Sequence, residues 1–167
     1  MTVALRRATP ENLPQLQSLY EEACACFAYD PGHGPTPPDV CLASGDLPPG
    51  GDREHFSLLG VWVAGTLSGY LTLYRGYPDS RTAYLAFLYM ADAVKGGGVG
   101  SRVVQLLSQQ LAMEGYAALR LCVSLKNWAG LRFWVRCGFD HITRVAGDAI
   151  YRPEGYGCLE LQKTFLN

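Results

Sequence analysis

Four glycines stand close together in residues 94–102, which read Val-Lys-Gly-Gly-Gly-Val-Gly-Ser-Arg. They fall between an apolar run, residues 83–91, and a segment of helical spacing that opens near Gly100. Because glycine has no Cβ, it adopts positive φ and lets an anion approach the peptide N–H groups closely. The free amides and the dipole of a helix N-terminus then favour negative charge there. This layout predicts a phosphate-binding turn, with a flexible strand-to-helix turn as the alternative.

The spacing of these glycines fits neither of the two common nucleotide motifs. A G-x-G-x-x-G fingerprint that begins at Gly96 finds Ser101 in place of its last glycine, and a Walker P-loop lacks its Lys-Ser/Thr ending. The pattern [Q/R]-x-x-G-x-[G/A] fits better, with Lys95 in its first position, Gly98 in the fourth and Gly100 in the sixth. At this turn the chain resembles the GCN5-related N-acetyltransferases, which hold the pyrophosphate of acetyl-CoA there.

Further segments extend the resemblance from residue 3 to about residue 165. Residues 119–123 read as a buried strand, and Asn127 opens a helix that ends in Phe-Trp-Val-Arg-Cys-Gly-Phe at residues 133–139. This order is similar to the family's strand, its Asn-initiated helix and its F-[YW]-x-x-x-G-F ending. The resemblance implies one N-acetyltransferase domain over residues 1–167. Its fold class would be α/β (α+β), with a central mixed, mostly antiparallel twisted sheet flanked by helices.

The resemblance also implies which residues bind acetyl-CoA. The backbone of Leu88, Tyr89 and Met90 would pair with the pantetheine arm as an added strand does. The pyrophosphate would lie in the turn formed by Lys95, Gly96, Gly97, Gly98, Val99, Gly100 and Ser101. Asn127 would turn its amide toward the pantetheine, although N-capping of the helix also accounts for an asparagine there. The sequence departs from the family pattern at Lys95, where Gln or Arg is usual, and at Gly97, where Arg is common. The cation missing at Gly97 is expected to weaken CoA binding and to leave the turn intact.

The catalytic residues stay open at this stage. Many relatives carry Tyr at the position of Trp134, where its hydroxyl can protonate the leaving CoA thiolate. Indole N–H has no usable acidity, so we expect Trp134 to pack the helix on the sheet and the thiolate to take its proton from water. Residues 82–90 and 118–123, where relatives often place a carboxylate, contain none. The candidate bases are Glu21, Glu22, Asp30, His33 and His55, each of which could instead be a plain surface residue.

The net charge of −1 hides an uneven distribution. Residues 8–52 contain no Lys or Arg, whereas the rest of the chain carries all 14 basic residues and a surplus of six positive charges. The seven acids of this segment are Glu11, Glu21, Glu22, Asp30, Asp39, Asp46 and Asp52. A field of this sign attracts cationic amines and repels nucleic acid, while an ordinary solvated surface is the alternative for any single acid.

Charge and resemblance together predict an acetyl-CoA-dependent N-acetyltransferase. It would act by direct attack of a primary amine, with a small cationic molecule or a peptide amine as acceptor and no metal. A homodimer is one assembly it could form. The alternative is a non-catalytic acyl-CoA-binding module, which the missing tyrosine and the missing strand carboxylates favour.

Composition supports a globular chain, with 49% apolar and 17% charged residues over 167 positions. A chain of this length is expected to bury a single hydrophobic core. Neither a membrane-spanning run nor a signal peptide is evident, so we expect the cytoplasm. The six cysteines form no CxxC pair, which argues against a metal site and favours small buried apolar residues.

Hydrophobic spacing predicts the helices and strands that carry these residues. Thr9 and Pro10 suit the start of a helix that reaches about Cys26. Residues 31–52 hold six prolines and five glycines, which predicts a long loop with one helical turn near residues 39–43 and a possible role as a lid. Strands are expected at residues 3–7, 57–63, 69–76, 82–90, 118–123, 141–146 and 159–165, and further helices at residues 100–114 and 127–137.

Overall fold

The structure is a computed structural model, and it describes residues 2–165. Within this range the chain forms seven strands and four α-helices. The strands are β1 (Val3–Arg7), β2 (Phe56–Val63), β3 (Thr66–Arg75), β4 (Thr82–Met90), β5 (Ala118–Ser124), β6 (His141–Gly147) and β7 (Gly157–Thr164). The helices are α1 (Leu13–Cys26), α2 (Pro38–Ala43), α3 (Val99–Met113) and α4 (Trp128–Arg136).

All seven strands belong to one sheet, in the order β1-β2-β3-β4-β5-β7-β6. Neighbouring strands are antiparallel except for β4 and β5, which run parallel. The parallel pair requires a crossover connection, and α3 supplies it. The predicted fold class, α/β with a mixed and mostly antiparallel sheet, is therefore confirmed.

Helices cover both faces of the sheet and bury a core on each. On one face α3 buries Val103, Val104, Leu107 and Leu111, as its predicted spacing requires. On the other face α1 buries Leu16, Leu19 and Ala23 against aromatic side chains of β2 and β3. Each fully buried Val or Leu contributes about 1.5–3 kcal/mol relative to an exposed one, so these contacts fix the helices on the sheet.

The two parallel strands separate halfway along β4. Their pairing runs from Thr82 opposite Ala118 to Leu85 opposite Leu121 and then stops, although both strands continue. On its other side β4 contains an irregularity at Ala86, because Leu73 pairs with Leu85 and Thr72 with Phe87. A bulged residue bends its strand and disrupts the ladder locally. The chain thus opens a gap between the carboxyl ends of β4 and β5.

Most predicted element ends agree with the structure within one or two residues. The largest shifts are at β3 and α1. β3 begins at Thr66 rather than residue 69 because the tight turn at Ala64 and Gly65 leads straight into the strand. α1 begins at Leu13 because Pro10–Asn12 form a 3-10 turn capped by Thr9. The helical turn expected near residues 39–43 is present as α2. No helix of residues 2–165 has the length and apolarity needed to cross a membrane.

The prediction of buried cysteines holds for only part of the set. Cys41 and Cys158 are buried, and Cys24 and Cys137 are half-buried. Cys26 and Cys122 are exposed, so the prediction is wrong for both. Their exposure follows from the gap between β4 and β5, because each of these residues lines it.

Candidate functional site

A cleft of about 1060 Å³ occupies the gap between the diverging ends of β4 and β5. The turn before α3, the first half of α4 and the segment after α1 complete its walls. Nine of the predicted binding residues line it, namely Leu88, Tyr89, Met90, Lys95, Gly96, Gly98, Gly100, Ser101 and Asn127. The other two predicted residues do not line the cleft. Gly97 is exposed in the turn, and the side chain of Val99 is buried in the core.

The glycine turn leaves amide groups free at the start of α3. Gly98 is the N-cap residue and has a φ of +77°, a conformation that glycine adopts without steric cost. The first hydrogen bond of the helix runs from the amide of Arg102 to the carbonyl of Gly98, at 3.1 Å. The N–H groups of Val99, Gly100 and Ser101 therefore have no acceptor inside the helix. Together with the helix dipole, they suit an anion.

The ammonium group of Lys95 is directed toward the end of β4 rather than over the turn. Its Nζ donates to the carboxylate of Asp92 and, at 3.1 Å, to the hydroxyl of Tyr89. It also lies 4.3 Å from the centre of the Tyr89 ring. Hydrogen bonding from Lys95 lowers the pKa of Asp92. In this conformation the positive charge of Lys95 is matched by Asp92.

Asn127 caps α4, as one interpretation of the sequence expects. Its Oδ1 accepts a hydrogen bond of 2.8 Å from the amide of Gly130. A Cβ at Gly130 would collide with the Asn127 amide, so glycine at this position lets the side chain fold over the first turn. Asn127 also lines the cleft. Its contact with pantetheine stays a prediction.

Trp134 packs between two other aromatic rings. Its ring meets those of Phe133 and Phe139 edge-on, with centroids 4.8 Å and 5.3 Å away. The side chain is half-buried beside the main core and also forms part of the cleft wall. This placement agrees with the packing role expected from the sequence.

Two of the five candidate bases reach the cleft, and three do not. Asp30 and His33 line it. Glu22 instead accepts a hydrogen bond of 2.7 Å from the amide of Asp92, and Glu21 is exposed on α1 beside Gln17. His55 lies outside the cleft with its ring 5.9 Å from that of Tyr74. Of the five candidate bases, Asp30 and His33 are therefore the two that lie at the cleft.

Two loops meet above the cleft through stacked rings. His33, in the loop between α1 and α2, lies flat on Tyr156, in the loop between β6 and β7, with ring centroids 3.7 Å apart. Both residues line the cleft. Burial raises the pKa of Tyr156, so its hydroxyl stays protonated at neutral pH. The stack therefore links two loops that both contribute to the cleft wall.

Several lining residues were not predicted from the sequence. Tyr29, Lys126, Trp128, Arg136 and Tyr156 all contribute to the wall. Lys126 and Trp128 flank Asn127, and Arg136 lies within the helix motif, so their neighbours offered a signal. Tyr156 offered none, because its position depends on how the last two strands are connected. Among the side chains of residues 2–165, no group of three His, Cys, Asp or Glu is arranged to hold a metal ion.

Comparison with known proteins gives a consistent picture. The sequence profile described as the acetyltransferase (GNAT) family matches residues 16–139. The thialysine N-epsilon-acetyltransferase of Sus scrofa is 25% identical over 130 residues, which cover 78% of this chain and 72% of that protein.

Solved structures share the fold along nearly the whole chain. An acetyltransferase from Thermus thermophilus superimposes with a TM-score of 0.75 and 22% identity, covering 99% of this chain and 98% of that one. An N-acetyltransferase from Staphylococcus aureus superimposes with a TM-score of 0.73 and 17% identity, covering 98% and 99%.

Proposed function

The chain belongs to the acetyltransferase (GNAT) family, and we propose that it transfers the acetyl group of acetyl-CoA to a primary amine of a small, positively charged acceptor. The attack is direct, with both substrates in the cleft. The observation that carries this proposal is the cleft between β4 and β5, bordered at one end by the free amides of the glycine turn. Members of this family use acetyl-CoA as cosubstrate.

The backbone of β4 suits the pantetheine arm. Its ladder with β5 ends at Leu85, and the strand continues to Met90 along the cleft. Peptide groups on that side of Leu88, Tyr89 and Met90 can therefore pair with the amides of a ligand, as a strand added to a sheet edge does. Asn127, on the facing wall, offers an amide to the same ligand.

The glycine turn suits the pyrophosphate. The amides of Val99, Gly100 and Ser101 supply hydrogen-bond donors, and the dipole of α3 favours an anion. Arg136 also lines the cleft and provides a positive charge that Gly97 does not. Lys95 can add a second charge if its side chain leaves Asp92. These residues fit the phosphates without a metal.

Bound acetyl-CoA supplies an activated acyl group, and the chain supplies binding and orientation. The stacked rings of His33 and Tyr156 join two of the loops that line the cleft. Trp134 donates no proton because its indole N–H has no usable acidity. The acceptor nitrogen attacks as a neutral amine and loses a proton to water as the C–N bond forms, while CoA leaves as the thiolate. A thiol of ordinary pKa, about 8.5, needs little help to leave in this form, so we propose that the thiolate takes its proton from water.

The acceptor is proposed to be a cationic amine. Two acids of the basic-free segment 8–52, Asp30 and Asp46, line the cleft, where Asp30 is paired with the ammonium group of Lys126. The name of the Sus scrofa relative specifies acetylation of the ε-nitrogen of thialysine. We propose an amine of the same kind for this chain, on a small molecule or a peptide side chain, and no nucleic acid.

Release of CoA thiol with a panel of amines tests this function. The panel holds thialysine, lysine, spermidine, glutamate and glycine amide, and mass spectrometry identifies the N-acetylated product. We expect turnover, with cationic acceptors ahead of glutamate. If the protein binds CoA but turns over none of these amines, it is an acyl-CoA-binding module and the catalytic proposal is wrong.

A further inference from the structure

Besides Lys95, a second lysine of the chain, Lys126, brings its ammonium group to the cleft. Lys126 lies between β5 and α4, and its side chain reaches the segment after α1. There its Nζ donates to the carbonyl oxygen of Tyr29 at 3.2 Å and lies 3.4 Å from Oδ1 of Asp30. All three residues line the cleft. A carboxylate and a carbonyl oxygen thus form a small site in which an ammonium group is held.

The carboxylate of Asp30 is buried, but one of its oxygen atoms has no hydrogen bond. Its side chain is 5% exposed, and Oδ1 accepts no hydrogen bond from any described residue. Lys126 provides a compensating charge at 3.4 Å but not the geometry of a hydrogen bond. A buried charge is costly unless it is both paired and hydrogen-bonded. A ligand that donates an N–H directly to Oδ1 would therefore bind better than Lys126 does.

The surroundings of this oxygen pair favour an organic cation. Phe27, Tyr29 and Phe87 form an edge-on cluster in the cleft wall, with centroid separations of 6.1 Å and 5.9 Å. Aromatic rings attract cations and also cover an alkyl chain. A primary ammonium group has three donors and suits two oxygen acceptors.

From this arrangement we propose that Asp30 and the Tyr29 carbonyl bind an ammonium group of the acceptor, and that Lys126 occupies this position when no acceptor is bound. The inference rests on the proposed transfer to an amine and names its substrate class. An ammonium group beside Asp30 stays protonated and is not a nucleophile. A second amine of the same acceptor is therefore the one acetylated, and the acceptor class is an aliphatic diamine.

Binding of 1,5-diaminopentane tests the assignment without turnover. Calorimetric titrations, with and without CoA thiol, compare the wild type with Asp30→Asn, Lys126→Met and Asp39→Asn. Asp39 lies exposed on α2 outside the cleft. Asp39→Asn therefore serves as the matched control, because it removes one negative charge at a position away from the proposed site. We expect at least about tenfold weaker binding in Asp30→Asn and at least about threefold tighter binding in Lys126→Met. The control should remain within about twofold of the wild type.

Either of two results overturns the inference. One is equal affinity in the wild type and a folded Asp30→Asn protein. The other is unchanged or weaker binding in Lys126→Met, which also decides the matter if Asp30→Asn does not fold. Titration of CoA into the same samples separates this inference from the proposed function. If the wild type does not bind CoA, the proposed function is wrong. If CoA binds normally but the affinity for the diamine is the same in the wild type and in the Asp30 and Lys126 variants, only the inference is wrong.

Discussion

Gly98 combines a positive φ with the N-cap position of α3, and open space surrounds the position where a Cβ would lie. We predict that Gly98→Asp weakens CoA binding at least about tenfold, or 1.4 kcal/mol, because a carboxylate would meet the phosphates. Asparagine tolerates the same backbone conformation and has the same shape without the charge. Calorimetry should therefore show a much smaller loss for Gly98→Asn. Equal losses in the two variants would point to backbone strain instead of charge.

Substitution of Trp134 tests whether this side chain only packs against its neighbours or also takes part in the chemistry. Its ring packs on Phe133 and Phe139, and it has no acidic proton to donate. We predict that Trp134→Phe retains most of kcat, with a loss of stability of the size expected when a ring is trimmed, about 1–3 kcal/mol. Steady-state kinetics on protein shown to be folded provide the measurement. A fall in kcat of about a thousandfold would identify Trp134 as part of the chemistry.

Some residues of the site could be identified from the sequence, and others could not. The glycines of the turn and Asn127 were predictable because their roles depend on local backbone geometry. The contact between Lys126 and Tyr29 joins residues 97 positions apart, and no local pattern indicates it. The orientation of the Lys95 side chain was also not predictable, since it depends on hydrogen bonds to Asp92 and Tyr89.

At the level of elements, the ion pair of Arg75 and Glu114 ties β3 to the end of α3. Arg75 Nε donates to Glu114 Oε2 at 2.8 Å, and this hydrogen bond is the main reason that the pKa of Glu114 is lowered. A lowered pKa in the folded state adds stability above the ordinary glutamate pKa, about 4.3. That stability is lost as the pH falls through the folded-state value. The side chains are 20% and 33% exposed, so the contribution should not exceed about 1 kcal/mol.

Glu114→Gln measures this contribution. We predict that the variant unfolds with a free energy up to about 1 kcal/mol lower than the wild type at pH 7, and that the difference is smaller at pH 3, below the ordinary glutamate pKa of about 4.3. Denaturant unfolding at the two pH values gives both numbers. Glu154→Gln, at an exposed position between β6 and β7, serves as the control and should show no such pH dependence. A difference of the same size at both pH values would show that the charge is not responsible.

The elements themselves were largely predictable, but the feature that creates the site was not. Hydrophobic spacing located α3 and β4 closely, because both bury a regular set of side chains. The irregularity at Ala86 and the end of the β4–β5 ladder at Leu85 arise from pairing between distant strands. Residues 83–91 read as one continuous apolar run, and nothing in that run marks where the partner strand departs.

For the whole molecule, the uneven charge makes a prediction about rate. Residues 8–52 carry only acidic charges, and two of these acids line the cleft. Attraction over this range is screened by salt, so kcat/KM for a cationic acceptor should fall between about 0.01 and 0.15 M ionic strength. Glycine amide and glutamate provide weakly charged and acidic comparisons. If all acceptors respond alike, or if glutamate is the best of them, the charge of this segment does not select the acceptor.

The family and the fold of the whole chain agree with the sequence analysis, since the ordered set of motifs runs through most of its length. A single domain over residues 1–167, a cytoplasmic location and a homodimer stay predictions. So does the role of residues 31–52 as a lid, although His33 from this segment stacks on Tyr156 of another lining loop.

A crystal structure of the protein with bound CoA would show whether the glycine turn holds the pyrophosphate. We predict that the pyrophosphate lies within hydrogen-bonding distance of the amides of Val99, Gly100 and Ser101, about 2.7–3.2 Å, with the pantetheine beside Leu88–Met90 in the gap between β4 and β5. CoA bound outside this cleft, or bound within it with its phosphates away from the glycine turn, would contradict the account.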